Sequence, residues 1–393
     1  MVDATAELPN DVAARTEAAA VRRSPPALAA DVVRYAAFAQ GRTFSPAQSP
    51  AWVEAWTTNS GADCAIVMVR DGDAELALPL EIVALGPLRV ARFMGGSHAN
   101  GNLPPFVGAS TKIGREAIAD AVRAARPDVD LVRLERLMDD LAGTANPLAH
   151  LAAGPSPNVS LAVDLAGGFD ALLERTSGKR KRKKHRSQTR KFEAAGGFRR
   201  IEASTPAEVE RLLGDFFVLK GIRFREFGLT DVFADEGVRR FFRALFTDAL
   251  DQMPRPFVLH ALEVAGKLRA ITGSSRSADR LICEFGAIAD DDLGHASPGD
   301  FLFFDNIQDA CRDGFAIYDF SVGDEHYKRL WCNIEDRHFD VLVPVSAKGR
   351  ALAGVLGAAS RAKRAIKSNK VLWPLIKRLR RSRASATIAD ETD

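Results

Sequence analysis

Several residue types are scarce in this chain, and each shortage narrows the possibilities. Only four of 393 residues are cysteine, and Cys64, Cys283, Cys311 and Cys332 share no spacing that a metal site uses. They read as reduced thiols of a cytosolic protein and not as a disulfide scaffold. None of the seven histidines stands four residues from another or beside a cysteine at ligand spacing, so no metal is expected. No apolar run reaches the roughly 18 residues of a membrane-spanning helix. The first residues carry acids and prolines in place of a basic and then apolar region, which argues against a secretory leader. The expected location is therefore cytoplasmic. There is no Gly-x-Ser-x-Gly elbow and no Walker loop, which removes two common enzyme classes. Acidic residues vanish from Ala347 to Arg383.

What remains is a soluble globular composition, 46% hydrophobic and 27% charged, long enough for two domains with real cores. Residues 1–27 are Ala-rich and polar, end in Ser24-Pro25-Pro26, and read as a disordered arm. A helix is expected from Pro50 to Thr57, and strands Cys64–Val69 and Glu75–Val83 flank Asp71-Gly72, a hairpin turn. A strand at Leu88–Phe93, a helix at Lys112–Ala125 and strands at Asp130–Leu137 and Ser160–Leu165 complete a first half, 28–168. The second half, 198–346, repeats the order. Strand Phe198–Ala203 and helices Pro206–Lys220 and Glu236–Leu250 precede strands Phe257–Val264, Lys267–Ser275 and Arg280–Ala287; a helix and strand follow, and Arg337–Pro344 comes last. The hairpins Met68–Ile82 and Ala261–Ser275 look like one module used twice, which predicts a mixed α/β chain built from two similar halves.

Between the halves, 169–197 reads as a basic helical connector, from about Phe169 to Ala195, carrying Lys179-Arg-Lys-Arg-Lys-Lys-His-Arg186. Such a charge density seeks anions, although it lacks the interleaved aromatics of a base-reading surface. Residues 347–393 read as a basic amphipathic tail whose Leu372-Trp373-Pro374-Leu375-Ile376 suits peripheral contact with an anionic membrane at the inner face, or else is a disordered or self-packing tail.

The richest stretch runs from Ala296 to Trp331. Ser297 and Pro298 suit the N-cap and first position of a helix, and Gly299 lets a backbone approach a ligand. Phe303, Phe304, Ile307, Ala310 and Cys311 recur at helical spacing, and Gly314 closes the helix. A strand, Phe315–Phe320, follows. A strand, a glycine-bearing loop and a helix N-terminus together make a site for an anion such as a pyrophosphate.

This stretch resembles the GNAT acetyltransferase superfamily, and more narrowly the CelD/BcsL-type acetyltransferases associated with bacterial cellulose biosynthesis. The matching residues are Ser297-Pro298-Gly299, Gly314, Tyr318-Asp319-Phe320, Gly323-Asp324-Glu325, Tyr327-Lys328 and Trp331. Lys220-Gly-Ile-Arg223-Phe occupies the place of that family's His/Lys-x-x-Arg-Trp-like helix end. Two tandem halves also resemble the FemAB peptidyltransferases. The resemblance implies two tandem GNAT-like domains, each a central mixed β-sheet flanked by helices. It further implies transfer of an acyl group, acetyl in the first instance, from acetyl-CoA or another acyl-CoA to an amine or hydroxyl of a small-molecule, cell-envelope or polysaccharide-related acceptor. The alternatives are a FemAB-type transfer from aminoacyl-tRNA, with the basic helix touching the tRNA, and a non-catalytic binding or membrane-docking scaffold.

By the same resemblance the cofactor's pyrophosphate would rest on the helix start at Ser297, Gly299, Asp300, Phe301 and Leu302. The usual GNAT loop is Gln/Arg-x-x-Gly-x-Gly/Ala, of which only the central Gly299 remains here, and Asp300 adds an acid beside a phosphate. Tyr327 takes the place of the acid that protonates the departing thiolate, or else packs against Trp331. Glu284, on the strand before the cofactor loop, is the candidate base, or a strand carboxylate facing solvent or an arginine. Asp319 and Lys328 pair with each other or grip the acceptor. Arg223, with Lys220, faces the acceptor or is a solvated helix end. The acceptor cleft is expected between the halves.

Overall fold

A computed structural model of the chain describes residues 25–108, 113–152, 154–156 and 158–368. Residues 1–24 of the expected arm and the Leu372–Ile376 cluster of the tail lie outside the described residues. The arm's last residues, Pro25 to Ala27, already belong to a helix.

The chain begins with α1 (Pro25–Ala39), α2 (Pro50–Asn59), β1 (Cys64–Asp71), β2 (Ala74–Leu85), β3 (Leu88–Phe93), β4 (Phe106–Val107), α3 (Arg115–Ala125), β5 (Leu131–Leu137) and the short pair β6 (Asp140–Leu141) and β7 (Thr144–Ala145). It continues with β8 (Ser160–Asp164), α4 (Gly168–Arg175), α5 (Gly178–Ala194), β9 (Phe198–Glu202), α6 (Pro206–Glu226), α7 (Glu236–Asp248), β10 (Phe257–Val264), β11 (Lys267–Ser277), β12 (Arg280–Ile288), α8 (Pro298–Arg312), β13 (Ile317–Val322), α9 (His326–Arg329) and β14 (Ile334–Asp336). Last come β15 (Phe339–Pro344) and α10 (Ala347–Ser368).

These elements divide into two compact units. One takes residues 159–225 and 230–336; the other takes the described chain up to 158, residues 226–229 and the chain from 337 onward. The first unit in chain order holds the sheet β1-β2-β3-β5-β15, with β4 on β2. Asp71-Gly72 turns the β1–β2 hairpin, with Arg70 opposite Glu75. β3 and β5 run parallel, with α3 between them in sequence, and the other pairs are antiparallel. Its core gathers Val69, Leu78, Ile118, Val132 and Leu134 with Phe339, Val341 and Val343 of β15. The second unit holds the order β14-β8-β13-β12-β11-β10-β9. Here β12 and β13 are the parallel pair, with α8 between them. Both units therefore show a hairpin, a third strand, a helix and a parallel return strand closed by an antiparallel neighbour. The architecture is mixed α/β, with two mixed sheets flanked by helices.

Three boundaries differ from the sequence expectation. Strand 160–164, expected in the first half, pairs with β13 and β14 of the second sheet, with Asp164 opposite Ile317. Strand 339–344, expected in the second half, pairs with β5 of the first sheet, with Phe339 opposite Leu137. The two closing strands are thus exchanged, which local alternation of apolar residues has no means to record. The single basic helix expected over about 169–195 is two helices, broken at Thr176 and Ser177. The chain turns there so closely that a Cβ on Gly178 would stand 2.3 Å from the Leu173 carbonyl oxygen.

Candidate functional site

The site grows out of an interruption in the second sheet. β12 and β13 pair only through Arg280–Ile317, Leu281–Tyr318 and Ile282–Asp319, after which the two parallel strands have no further ladder. Just beyond that point β12 carries a bulge: Gly273 stands opposite Phe285 and Ser274 opposite Cys283, leaving Glu284 as the extra residue. A bulge re-aims a side chain and often borders an active site. Gly273 is required beneath it, because a Cβ there would lie 2.1 Å from the Phe285 ring. The Phe285 ring is fixed in turn by Phe216 of α6, 4.4 Å away between centroids, and by Phe242 and Phe246 of α7. Glu284 is half-buried, and its Oε1 accepts a 2.5 Å hydrogen bond from Ser275 Oγ.

Asp319 occupies the last paired position of β13 and is buried. Its carboxylate accepts from the Ser321 amide at 2.6 Å and from Ser160 Oγ at 3.5 Å, and lies 3.5 Å from the Arg280 guanidinium. Burial pushes its pKa up, against the pull of Arg280. The residue thus ties β8, β12 and β13 together where the ladder ends, and its ion-pair partner is Arg280. Ser321 adds a bridge across the gap by donating from Oγ to the Cys283 carbonyl at 3.0 Å.

Lys328 also turns inward. It is buried, its ammonium donates to the Ser321 and Val322 carbonyls at 3.3 and 2.9 Å, and it forms an ion pair with Glu325 Oε2 at 3.0 Å. These contacts fasten α9 to the end of β13. Tyr327 is half-buried, its ring stacked 5.4 Å from Phe303 and edge-on 6.1 Å from Phe320. Its hydroxyl has no hydrogen-bond partner among the described residues. Burial first, and Glu325 second, hold the phenol well above its ordinary pKa, so it carries its proton throughout the neutral range.

At the start of α8, Ser297 is the N-cap residue and Pro298 the first helical one, but Ser297 is left-handed (φ 55°) and its side chain makes no cap. The turn is instead held from α5: Gln188 Nε2 donates to the Ala296 and Ser297 carbonyls at 2.8 and 3.0 Å. The amides of Asp300 and Phe301 donate to the Ser297 carbonyl at 3.1 and 3.3 Å, so two of the amides assigned to a pyrophosphate are already engaged. Phe301 and Leu302 are buried in an apolar cluster with Phe192 and Leu262. Gly299 serves packing, since a Cβ there would meet the Ile288 side chain of β12 at 2.3 Å.

The positive charge of this corner comes from α5. A recess of about 290 Å³ is lined by Arg180, Lys181, Lys184, Asp300, His326, Leu330 and Trp331. Lys181 lies 4.6 Å over the Trp331 ring and donates to the Leu330 carbonyl at 2.8 Å; burial lowers its pKa. Lys184 stands 3.0 Å from Asp300, which neutralises the acid that otherwise opposes a phosphate here. His185 stacks on Phe301 and Phe304, each at 4.2 Å, and meets Asp305 at 2.8 Å. These ties bind α5 to α8 within the second unit. Gln188 and the individual roles of Arg180, Lys181 and Lys184 were not singled out from sequence; the basic run was the only signal. Arg223 has its guanidinium 3.9 Å from Asp290, and its side chain is 41% exposed.

Comparison with known proteins agrees with this construction. Residues 179–329 match the Acetyltransferase (GNAT) domain family, a span that runs from α5 to α9. The sequence matches no curated protein. Among solved structures the chain is similar to FemX, with a TM-score of 0.55 and 12% identity over 83% of this chain and 98% of that one. It is also similar to L-PGS from Bacillus licheniformis, with a TM-score of 0.46 and 13% identity over 82% and 98% of the two chains. A tandem GNAT protein from the clavulanic acid biosynthesis pathway gives a TM-score of 0.41 and 14% identity over 81% and 95%. At these identities the likeness to FemX is one of fold. The stretch that matches the GNAT domain lies, apart from residues 226–229, within the second unit.

Proposed function

We propose that this chain transfers an acyl group, acetyl in the simplest case, from acyl-CoA to an amine or hydroxyl of a cell-envelope or polysaccharide-related acceptor. One observation carries the reading. Among the described residues, the parallel pair β12–β13 parts after three positions; beside that gap β12 carries a bulged carboxylate, Glu284, and Tyr327 of α9 packs on Phe320 of β13.

When bound, acyl-CoA supplies an activated thioester carbonyl. The recess formed by Arg180, Lys181 and Lys184 suits phosphate groups in charge and in size, being large enough for a phosphate and its immediate carrier. Glu284 is placed to take the proton from the acceptor nucleophile, with Ser275 orienting its carboxylate. Tyr327 holds a proton that it can deliver to a departing thiolate. The test is release of free CoA thiol from acetyl-CoA in the presence of a panel of amino sugars and hydroxyl compounds. E284Q and Y327F should each lower the rate about 10²-fold or more while leaving the fold intact. Rates equal to wild type in both variants would remove these roles.

A second reading draws on α5 itself, whose lysines and arginines from Lys179 to Lys191 are exposed apart from half-buried Lys181. That face suits a polyanion, and aminoacyl-tRNA as donor is the chemistry it would favour. Salt-sensitive tRNA binding, lost when Lys181 to Lys184 are neutralised, would support it over acyl-CoA. The basic tail contacting an anionic membrane is a further part of the proposal, to be read by liposome flotation with and without residues 348–393.

A further inference from the structure

Lys220 is the side chain of the second unit that its surroundings leave most incomplete. It lies on α6, is only 4% exposed, and makes no hydrogen bond or ion pair with any described residue. Its one close partner is the Phe224 ring, 5.6 Å from the ammonium. A buried lysine whose ammonium has no acceptor and no counter-ion among the described residues is a costly arrangement. Native proteins rarely keep such a group unless something completes it.

The charged groups around Lys220 come from three elements. Arg223 is one turn along α6, Cys283 is on β12, and Glu325 and Lys328 belong to the α9 turn. Glu325 and Lys328 are paired with each other at 3.0 Å. Burial pushes the Cys283 thiol up to about 11, so it contributes no charge. The neighbourhood therefore holds one uncompensated positive charge at a desolvated point. That desolvation pushes the Lys220 amine down to about 8. The location is telling as well. Cys283 immediately follows the last paired residue of β12, and its carbonyl is bridged to Ser321 across the gap.

We propose that Lys220 receives a carboxylate carried by the acyl acceptor and holds it where β12 and β13 part. A single ammonium without a counter-ion matches the single charge of a carboxylate better than a phosphate dianion. The acceptor is then an amine or hydroxyl compound that also bears a carboxylate, in the manner of an amino acid or a sugar acid. The identification of the ligand as an acceptor rests on the transferase reading; the anion site itself rests on Lys220.

The experiment uses the full chain labelled with ¹³C and ¹⁵N in lysine, with formate as the probe and chloride as the control at equal ionic strength. K220M, or K220Q if K220M does not fold, assigns the Lys220 resonance. Formate should move the Lys220 titration midpoint upward, saturably and by about one unit, equivalent to a tenfold preference for the charged form. Chloride should not. No movement with formate, or an equal movement with chloride, overturns the proposal. Acetyl-CoA binding by the same sample separates the two claims. Retained CoA binding without a formate effect removes the Lys220 site alone. A formate effect without CoA binding leaves the site standing and removes acyl-CoA as donor.

Discussion

Lys220 and Lys328 are almost equally hidden and differ completely in bonding. Lys328 is surrounded by acceptors, whereas Lys220 has an aromatic ring and no acceptor. The contrast has a consequence for stability. Burial holds the Lys220 amine near 8, below its ordinary 10.5, so between those values the unfolded chain binds the extra proton. Stability should therefore rise with pH through that window, and the full penalty applies below about 8. K220M removes the penalty. At pH 7 the variant should be more stable by about 3 kcal/mol, an advantage that fades as pH approaches the ordinary lysine value. Urea unfolding at two pH values measures this, and a variant less stable than wild type at pH 7 would contradict it. Sequence marked Lys220 only by its place before Arg223, because burial and the absence of partners are properties of packing.

At the scale of elements, much was legible. The Asp71-Gly72 hairpin, strand 88–93, the second hairpin and the Pro298 helix start all stand where turn chemistry and periodicity put them. Less legible was what each glycine serves. Gly299 suggested close approach to a ligand, yet the nearest obstacle to a side chain there is Ile288. G299A should accordingly cost the second unit about 1 kcal/mol or less, because the exposed Ile288 side chain must turn away from the new methyl. I288A in the same chain should recover part of that loss, read as a shift in thermal midpoint. If the double variant is no better than G299A alone, the packing account of this glycine fails. The basic helix was visible as a charge run, but its attachment to α8 through Gln188 and His185 depends on tertiary neighbours.

For the whole molecule, the repeated plan was readable from the order of elements, and the exchange of closing strands was not. Long-range pairing is chosen by shape and burial, and β8 and β15 are each apolar enough to close either sheet. The exchange makes the first unit depend on the end of the chain. β15 supplies Phe339, Val341 and Val343 to its core, and the Ser346 hydroxyl donates to Asp130 at 2.6 Å beside the start of α10. A chain ending at residue 336 should lose cooperative unfolding of the first unit and bind a hydrophobic dye, since it uncovers the β5 edge and a row of core side chains. A truncated chain that melts like the full one would argue against this pairing.

The central claim, that the second unit is built to hold an acyl-CoA between the parting strands and the basic recess, is tested most directly by calorimetric titration of the full chain with acetyl-CoA. The account predicts saturable binding that weakens with added salt and weakens further when Lys181 and Lys184 are both replaced by alanine. Absence of binding at millimolar acetyl-CoA, or an affinity indifferent to both lysines, would contradict it.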